Sequence, residues 1–200
     1  MLAVSLIQKL SDSFSLKSQL IISIVSILTI FGTVVMISAG IWDAISHILK
    51  QPEFFWTIQH IAVYTGIIMM AGGAILGTIL LIKKQTHGKL KKGIKIIIVG
   101  SVIQIIAGFG DSISHDVFGI DGLLSWSHQP LELGLLLSAL GGFLIIKSIK
   151  NQKLKKIMPF SIMTLIFATC WLGFNLSLFV GATILCLSIY EIFSSGCAIL

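Results

Sequence analysis

The sequence has little charge and no arginine. Only 11% of its 200 residues are charged, whereas 56% are hydrophobic. Soluble domains typically carry about 25% charged residues, so this chain could not cover a water-facing surface. The composition excludes a soluble globular domain and indicates a protein whose surface lies in a lipid bilayer.

Cysteine is scarce as well. The three cysteines, Cys170, Cys186 and Cys197, have no C-x-x-C spacing, and two of them lie inside apolar runs. Such cysteines are typical of buried, unreactive thiols. The chain also has no nucleophile motif and no glycine-rich nucleotide-binding fingerprint, so its polar chemistry must come from other side chains.

Long apolar runs dominate the remaining sequence. A helix needs roughly 20 apolar residues to cross a bilayer, and the runs do not alternate as the strands of a membrane barrel do. We therefore predict an all-α integral membrane protein with five or six transmembrane helices. The predicted spans are residues 19–49, 54–82, 93–115 and 130–146, and one or two spans within 157–195, divided near Gly173.

The chain divides into four predicted segments. In the first, Leu2, Leu6, Leu10 and Phe14 recur at every fourth position, as in an amphipathic helix that lies at a membrane surface. The segments are the interfacial helix at 1–18, a first two-helix repeat at 19–85, a second repeat at 86–152 and C-terminal transmembrane helices at 153–200.

Most lysines form two clusters between the apolar runs. The clusters are Lys83, Lys84, Lys89, Lys91, Lys92 and Lys95, and Lys147, Lys150, Lys153, Lys155 and Lys156. Because lysine is enriched in cytoplasmic loops, we predict that both clusters and the N-terminus are cytoplasmic. The clusters contain none of the aromatic residues on which nucleic-acid bases stack, so no nucleic-acid partner is predicted.

The two predicted outer loops and the helix ends beside them carry the same ligand set. The corresponding residues are Asp43 and Asp111, His47 and His115, and His60 and His128, each pair separated by 68 positions. Further pairs at this offset are Gly40 and Gly108, Ile45 and Ile113, Ser46 and Ser114, and Gly66 and Gly134. The offset indicates an internal duplication of a two-helix unit, with both copies in the same orientation.

The spacing within each set suits a metal ion. Aspartate and histidine four positions apart project from one face of a helix, and the second histidine returns from the next helix. One carboxylate and two imidazoles are suitable ligands for a transition metal. Structural hydrogen bonds and a proton relay remain alternatives. Glu132, one helical turn after His128, is either a further ligand or a carboxylate at the membrane interface.

The first set, in the context G-x-W-D…H…F-W-x-x-x-H-x-x-x-Y-x-G, resembles the copper ligands in a membrane subunit of the particulate methane and ammonia monooxygenases. The second set resembles the neighbouring site of that subunit. The stretch from Gly40 to Gly66 also resembles small prokaryotic membrane proteins with W-D-x-x-x-H and P-x-H blocks, and the whole likeness covers about residues 40–134. Gln59 and Ser127 replace the proline that usually precedes the second histidine, and Asp111 replaces an asparagine. The resemblance implies copper, a site near the membrane surface, and a homo-trimer or a hetero-oligomer with other membrane subunits.

Three functional hypotheses follow. The first is a membrane protein that binds copper, with iron or zinc as alternatives, and that stores, senses or transfers the metal or serves as an oxygenase subunit. The second is an enzyme, because two histidines and a carboxylate also form the facial triad of non-haem iron oxygenases. The third is a proton-coupled transporter in which Asp43 and Asp111 titrate.

Overall fold

A computed structural model of the protein describes residues 2–49, 56–118 and 127–181, with the side chains of 18–46, 49, 56–114 and 127–181. Within these ranges the chain forms six helices and no strand. The helices are α1 (Leu2–Ile48), α2 (Ile58–Ile82), α3 (Gly88–Phe118), α4 (His128–Ser148), α5 (Gln152–Lys155) and α6 (Met158–Phe179). The predicted all-α class is confirmed.

Five of these helices are long and apolar enough to cross a membrane. They comprise Ser18–Ser46 of α1, all of α2, Gly88–Ser114 of α3, all of α4 and all of α6. Their outer surfaces are apolar: Ile68, Ile75 and Ile82 follow one side of α2, and each is at least 65% exposed. Large exposed hydrophobic side chains are expected where a helix contacts lipid, so the chain is a multi-pass membrane protein.

The first four transmembrane helices pack as two antiparallel hairpins. Helix α1 pairs with α2 and α3 pairs with α4, while α2 contacts α3 and α1 contacts α4, so the four helices form a closed bundle. Helix α6 packs mainly against α4 and to a lesser extent against α1. All three connections at residues 83–87, 149–151 and 156–157 lie at one end of the bundle, and this end therefore holds both lysine clusters.

Close contact between glycines joins the helices of each hairpin. A Cβ atom added to Gly66 would lie 2.7 Å from the carbonyl oxygen of Gly32, and a Cβ atom added to Gly134 would lie 2.7 Å from that of Gly100. These two pairs are separated by the same 68 positions as the ligand sets. The hairpins thus repeat the same helix–helix contact at the same register.

A second contact relates the two hairpins directly. Gly66 faces Met36 within the first hairpin, and Gly134 faces Gln104 within the second. Between the hairpins, Gln104 Nε2 lies 3.1 Å from Met36 Sδ in hydrogen-bonding geometry. Met36 and Gln104 occupy the same position of the repeat, so equivalent residues of α1 and α3 meet inside the bundle.

The first and last helices that the structure describes differ in their bounds from the sequence prediction. Helix α1 runs through residue 18 without a break, because no proline or glycine precedes Gly32. The location of residues 1–18 at the membrane surface stays a prediction. The predicted division near Gly173 is wrong: α6 continues to Phe179, and Asn175 Nδ2 bonds the carbonyl of Trp171 within the helix. A sixth span would lie in residues 182–200, outside the described part.

The glycine contact gives a prediction about stability. Gly66→Ala should destabilise the protein by roughly 1–3 kcal/mol, because the added methyl group would overlap the backbone of Gly32. Gly173→Ala is the matched control, because a Cβ atom added to Gly173 would have no atom of a neighbouring helix or side chain within 4 Å. Thermal unfolding in mild detergent measures both variants. Equal stability of the two would show that the helices do not approach as described.

Candidate metal centre

Both aspartates lie near the ends of long helices, at the end of the bundle opposite the lysines. Asp43 lies one turn before the end of α1, and Asp111 lies two turns before the end of α3. Their exposed fractions are only 6% and 2%. A carboxylate at membrane depth is costly even on permissive scales, at roughly 2.5–3.5 kcal/mol. Burial of both aspartates therefore requires groups that stabilise them.

In the first hairpin, a histidine from α2 meets the aspartate. His60 is the third residue of α2 and is 4% exposed, and its Nε2 atom lies 3.7 Å from Asp43 Oδ1. The N-cap residue Thr57 positions this histidine: its hydroxyl oxygen accepts from the His60 backbone N–H and lies 3.3 Å from Nδ1. Because Nδ1 of His60 faces the Thr57 hydroxyl, Nε2 is the ring nitrogen that is directed towards the Asp43 carboxylate.

The second hairpin repeats this pairing. His128 Nε2 lies 3.2 Å from Asp111 Oδ1, and the histidine is 9% exposed. His128 is the first residue of α4, which begins two residues earlier than the sequence predicts because Pro130 falls in the first turn, where proline is tolerated. Ser127, just before the helix, donates its hydroxyl to Asp111 Oδ1 at 2.7 Å.

The aspartate and second histidine of each predicted set are therefore brought together. His47 and His115 lie on α1 and α3, four residues after Asp43 and Asp111, but their side chains are outside the described part of the structure. Among the side chains that the structure describes, no three potential ligands lie close enough together to hold one metal ion. Each described pair supplies two of the three predicted ligands.

One cavity joins the two pairs. Its polar lining includes both aspartates and the two histidines His60 and His128, together with Tyr64 and Glu132. Its apolar lining comes from the core beneath, including Met36, Leu131 and Leu135. Among the described lining residues there is no lysine to neutralise the carboxylates. The two described aspartate–histidine pairs thus face one shared cavity, which is lined by three carboxyl groups.

Tyr64 has a role that its sequence position did not indicate. As the counterpart of Glu132 in the first hairpin, it would be expected beside Asp43. Instead, its hydroxyl donates to the carbonyl oxygen of Gly108 at 2.9 Å and lies 3.5 Å from Asp111 Oδ2. Tyr64 of the first hairpin therefore supports the aspartate of the second.

Trp171 and Gln59 were also not expected at the site. Trp171 comes from α6 and lines the cavity, although α6 lies outside the repeat. Gln59 is the counterpart of Ser127, but its amide donates to Ser46 Oγ at 2.8 Å. Ser46 in turn bonds the carbonyl oxygen of Trp42, at 3.2 Å. Ser46 therefore links the end of α1 to the start of α2 through Gln59.

The contact between Tyr64 and Asp111 can be measured with a double-mutant cycle. In metal-free protein, Tyr64→Phe and Asp111→Asn should show a coupling energy of about 0.5 kcal/mol in unfolding experiments, the lower end for a hydrogen bond, because the Tyr64 hydroxyl proton is shared with the Gly108 carbonyl oxygen. Thr65→Val replaces Tyr64→Phe in the control cycle, because the Thr65 hydroxyl bonds the Ile61 carbonyl of its own helix. Additive effects in both cycles would contradict the contact.

No family model matches the chain, and comparison with curated proteins and with solved structures gives no match either. The similarity to the membrane subunit of the copper monooxygenases therefore stays a prediction from the motifs. The function of the site has to be argued from its own geometry.

Proposed function

We propose that the protein binds a transition metal, with copper as the expected ion and iron or zinc as alternatives. Each half-site consists of one aspartate and two histidines. The first half-site is Asp43, His47 and His60, and the second half-site is Asp111, His115 and His128. The observation that carries the proposal is the buried pairing of aspartate with histidine in both hairpins, around one cavity.

Within each pair, the distance between the carboxylate oxygen and the imidazole nitrogen suits the binding of one ion by both atoms. Two ligand atoms bound at about 2.0–2.1 Å in tetrahedral geometry lie about 3.3 Å apart. The observed separations are 3.7 Å in the first pair and 3.2 Å in the second. Little movement would therefore bring each carboxylate oxygen and imidazole nitrogen onto one cation. A cation would also offset the cost of the buried negative charge.

A proton relay is the second candidate function. The separation of 3.2 Å between His128 Nε2 and Asp111 Oδ1 is also that of a hydrogen-bonded ion pair. A protonated histidine would then neutralise the aspartate without metal, as in a proton-coupled transporter. The two functions differ in one measurable property, because only the first retains stoichiometric metal after purification.

Metal content tests the proposal. Protein purified in mild detergent should contain two metal equivalents per chain, measured by elemental analysis. His47→Ala and His115→Ala should each lower the content, because each variant removes one of three ligands. His87→Ala is the control, since His87 lies between α2 and α3 at the lysine end of the bundle. Equal metal content in the three variants would exclude the assigned ligands.

The proposed topology places the cavity on the outer side of the membrane. The two lysine clusters lie at one end of the bundle and the aspartate–histidine pairs at the other. Since lysine-rich ends are preferentially cytoplasmic, the lysine end and the N-terminus are assigned to the cytoplasm. The metal would then exchange with the external space.

Cysteine labelling in intact cells tests this orientation. In a chain whose native cysteines are replaced by alanine, Lys89→Cys should resist a membrane-impermeant maleimide until the cells are opened. Asp121→Cys, which falls between α3 and α4 in the sequence, should be labelled in intact cells and serves as the positive control. Labelling of Lys89→Cys alone in intact cells would reverse the orientation and place the cavity on the cytoplasmic side.

A further inference from the structure

The outer face of α6 takes no part in the proposed metal centre. Among the five described spans, α6 has the smallest buried share, 22%. One side of the helix packs against α4 and α1. The opposite side carries large apolar residues that are 42–56% exposed, namely Ile162, Met163, Ile166 and Phe167. Because these residues are three or four positions apart, they form one stripe along the helix.

A hollow follows this stripe and ends at a lysine. Its lining consists of the four stripe residues together with Met158, Pro159 and Lys155. Lys155 is exposed and ends α5, just before α6 begins, at the lysine end of the bundle. All other lining side chains are apolar. A ligand that fits the hollow therefore has an anionic group at one end and an extended apolar part.

The length of the hollow matches one leaflet of a membrane. From Met158 to Phe167 the helix rises about 13.5 Å, at 1.5 Å per residue. The hydrocarbon core of a bilayer is about 30 Å thick, so the acyl chains of one leaflet fill about 15 Å of it. Lys155 precedes the helix and thus lies at the level of the headgroups of that leaflet.

The charge around the hollow selects an anionic headgroup. Lys153 and Lys156 are close to Lys155 in sequence, and both lysine clusters lie at this end of the bundle. Residues 83–95 and 147–157, which carry the clusters, contain no aspartate or glutamate. These segments therefore have no acidic side chain of their own to balance their positive charge. Each lysine near an anionic membrane surface strengthens binding about fivefold.

We propose that the hollow binds one anionic phospholipid, whose phosphate contacts the Lys155 ammonium group and whose acyl chain lies along α6. A phospholipid supplies both required parts in one molecule. The site lies at the opposite end of the bundle from the metal centre and does not depend on metal binding. Because α6 packs mainly against one helix and also carries Trp171 to the cavity, the bound lipid should stabilise the position of this helix.

Native mass spectrometry of the full-length protein tests the site. Delipidated protein in mild detergent is titrated with dioleoyl phosphatidylglycerol, which is anionic, and with dioleoyl phosphatidylcholine, which has the same chains but no net charge. We expect one molecule of phosphatidylglycerol to bind, at least about fivefold more tightly than phosphatidylcholine. Equal affinity for the two lipids would overturn the proposal.

Two lysine variants distinguish a site from general attraction to a positive surface. Lys155→Gln should lower the affinity for phosphatidylglycerol about fivefold. Lys153→Gln is the matched control, because it removes the same charge from an exposed residue of α5 that does not line the hollow. Its affinity should stay close to that of the unmodified chain. Equal losses in the two variants would show diffuse attraction and overturn the site.

A further pair of variants tests the apolar part of the hollow. Met163→Trp should fill the hollow and weaken phosphatidylglycerol binding, whereas Ile68→Trp, on the exposed side of α2, should not. Both residues are exposed, so neither replacement disturbs the packed interior. Phosphatidylglycerol should also raise the unfolding temperature of the unmodified chain and of Ile68→Trp, and raise that of Met163→Trp less.

Other occupants of the hollow would give different results. A second copy of the chain would appear in the mass spectrum as a dimer that Met163→Trp disrupts. A hollow covered by residues 182–200 would leave phosphatidylglycerol binding unchanged in both Lys155→Gln and Met163→Trp. Either result would overturn the lipid site.

Discussion

The close approach of two backbones in each hairpin determines the geometry of the whole bundle. Where Gly66 meets Gly32, and Gly134 meets Gly100, no side chain separates the helices. Such contact fixes both the distance between two helices and their relative register. About three turns beyond Gly32 lies Asp43, and the register places it opposite the start of α2. A shift of one turn at the glycines would separate each aspartate from its histidine.

Around this framework, the buried carboxylate of Asp111 is contacted by polar groups from more than one helix. Asp111 on α3 is contacted by His128 of α4, by Ser127 just before α4 and by Tyr64 of α2. Two segments, the start of α4 and helix α2, therefore converge on a carboxylate of α3. In a membrane interior, where water is scarce, this convergence allows the charge to be buried. It also makes the position of Asp111 depend on the packing between hairpins and not only within one hairpin.

Much of this arrangement is predictable from sequence because the duplication carries geometric information. The constant offset predicts that Asp43 pairs with His60 as Asp111 pairs with His128, and the structure bears out both pairs. The offset cannot predict contacts between the repeats, since these depend on how the hairpins dock. Tyr64, for example, lies in the first repeat, but its hydroxyl lies 3.5 Å from Asp111 Oδ2 of the second.

For a related reason, Trp171 was not predicted to line the cavity. It lies on α6, which has no counterpart in the repeat, and only tertiary packing brings it to the cavity. The break expected near Gly173 was also a local inference from glycine and asparagine. In the structure, Asn175 bonds the carbonyl of Trp171 within the same helix, so the polar side chain does not interrupt α6. The glycine and asparagine near residue 173 thus predicted the structure less well than the 68-residue repeat predicted the aspartate–histidine pairs.

The contact between Met36 and Gln104 has a consequence for the ancestry of the fold. A residue can touch its own counterpart only where the two repeats meet at their axis of pseudo-symmetry, so that axis passes between α1 and α3 near these side chains. A single, unfused hairpin could form the same bundle as a symmetric dimer, in which this side chain would meet its own copy. Such a dimer would enclose the same cavity, but each mutation would change both of its identical hairpins at once. Two such hairpins joined in one chain would be free of that constraint, as the tyrosine and the glutamate at one position of the repeat illustrate.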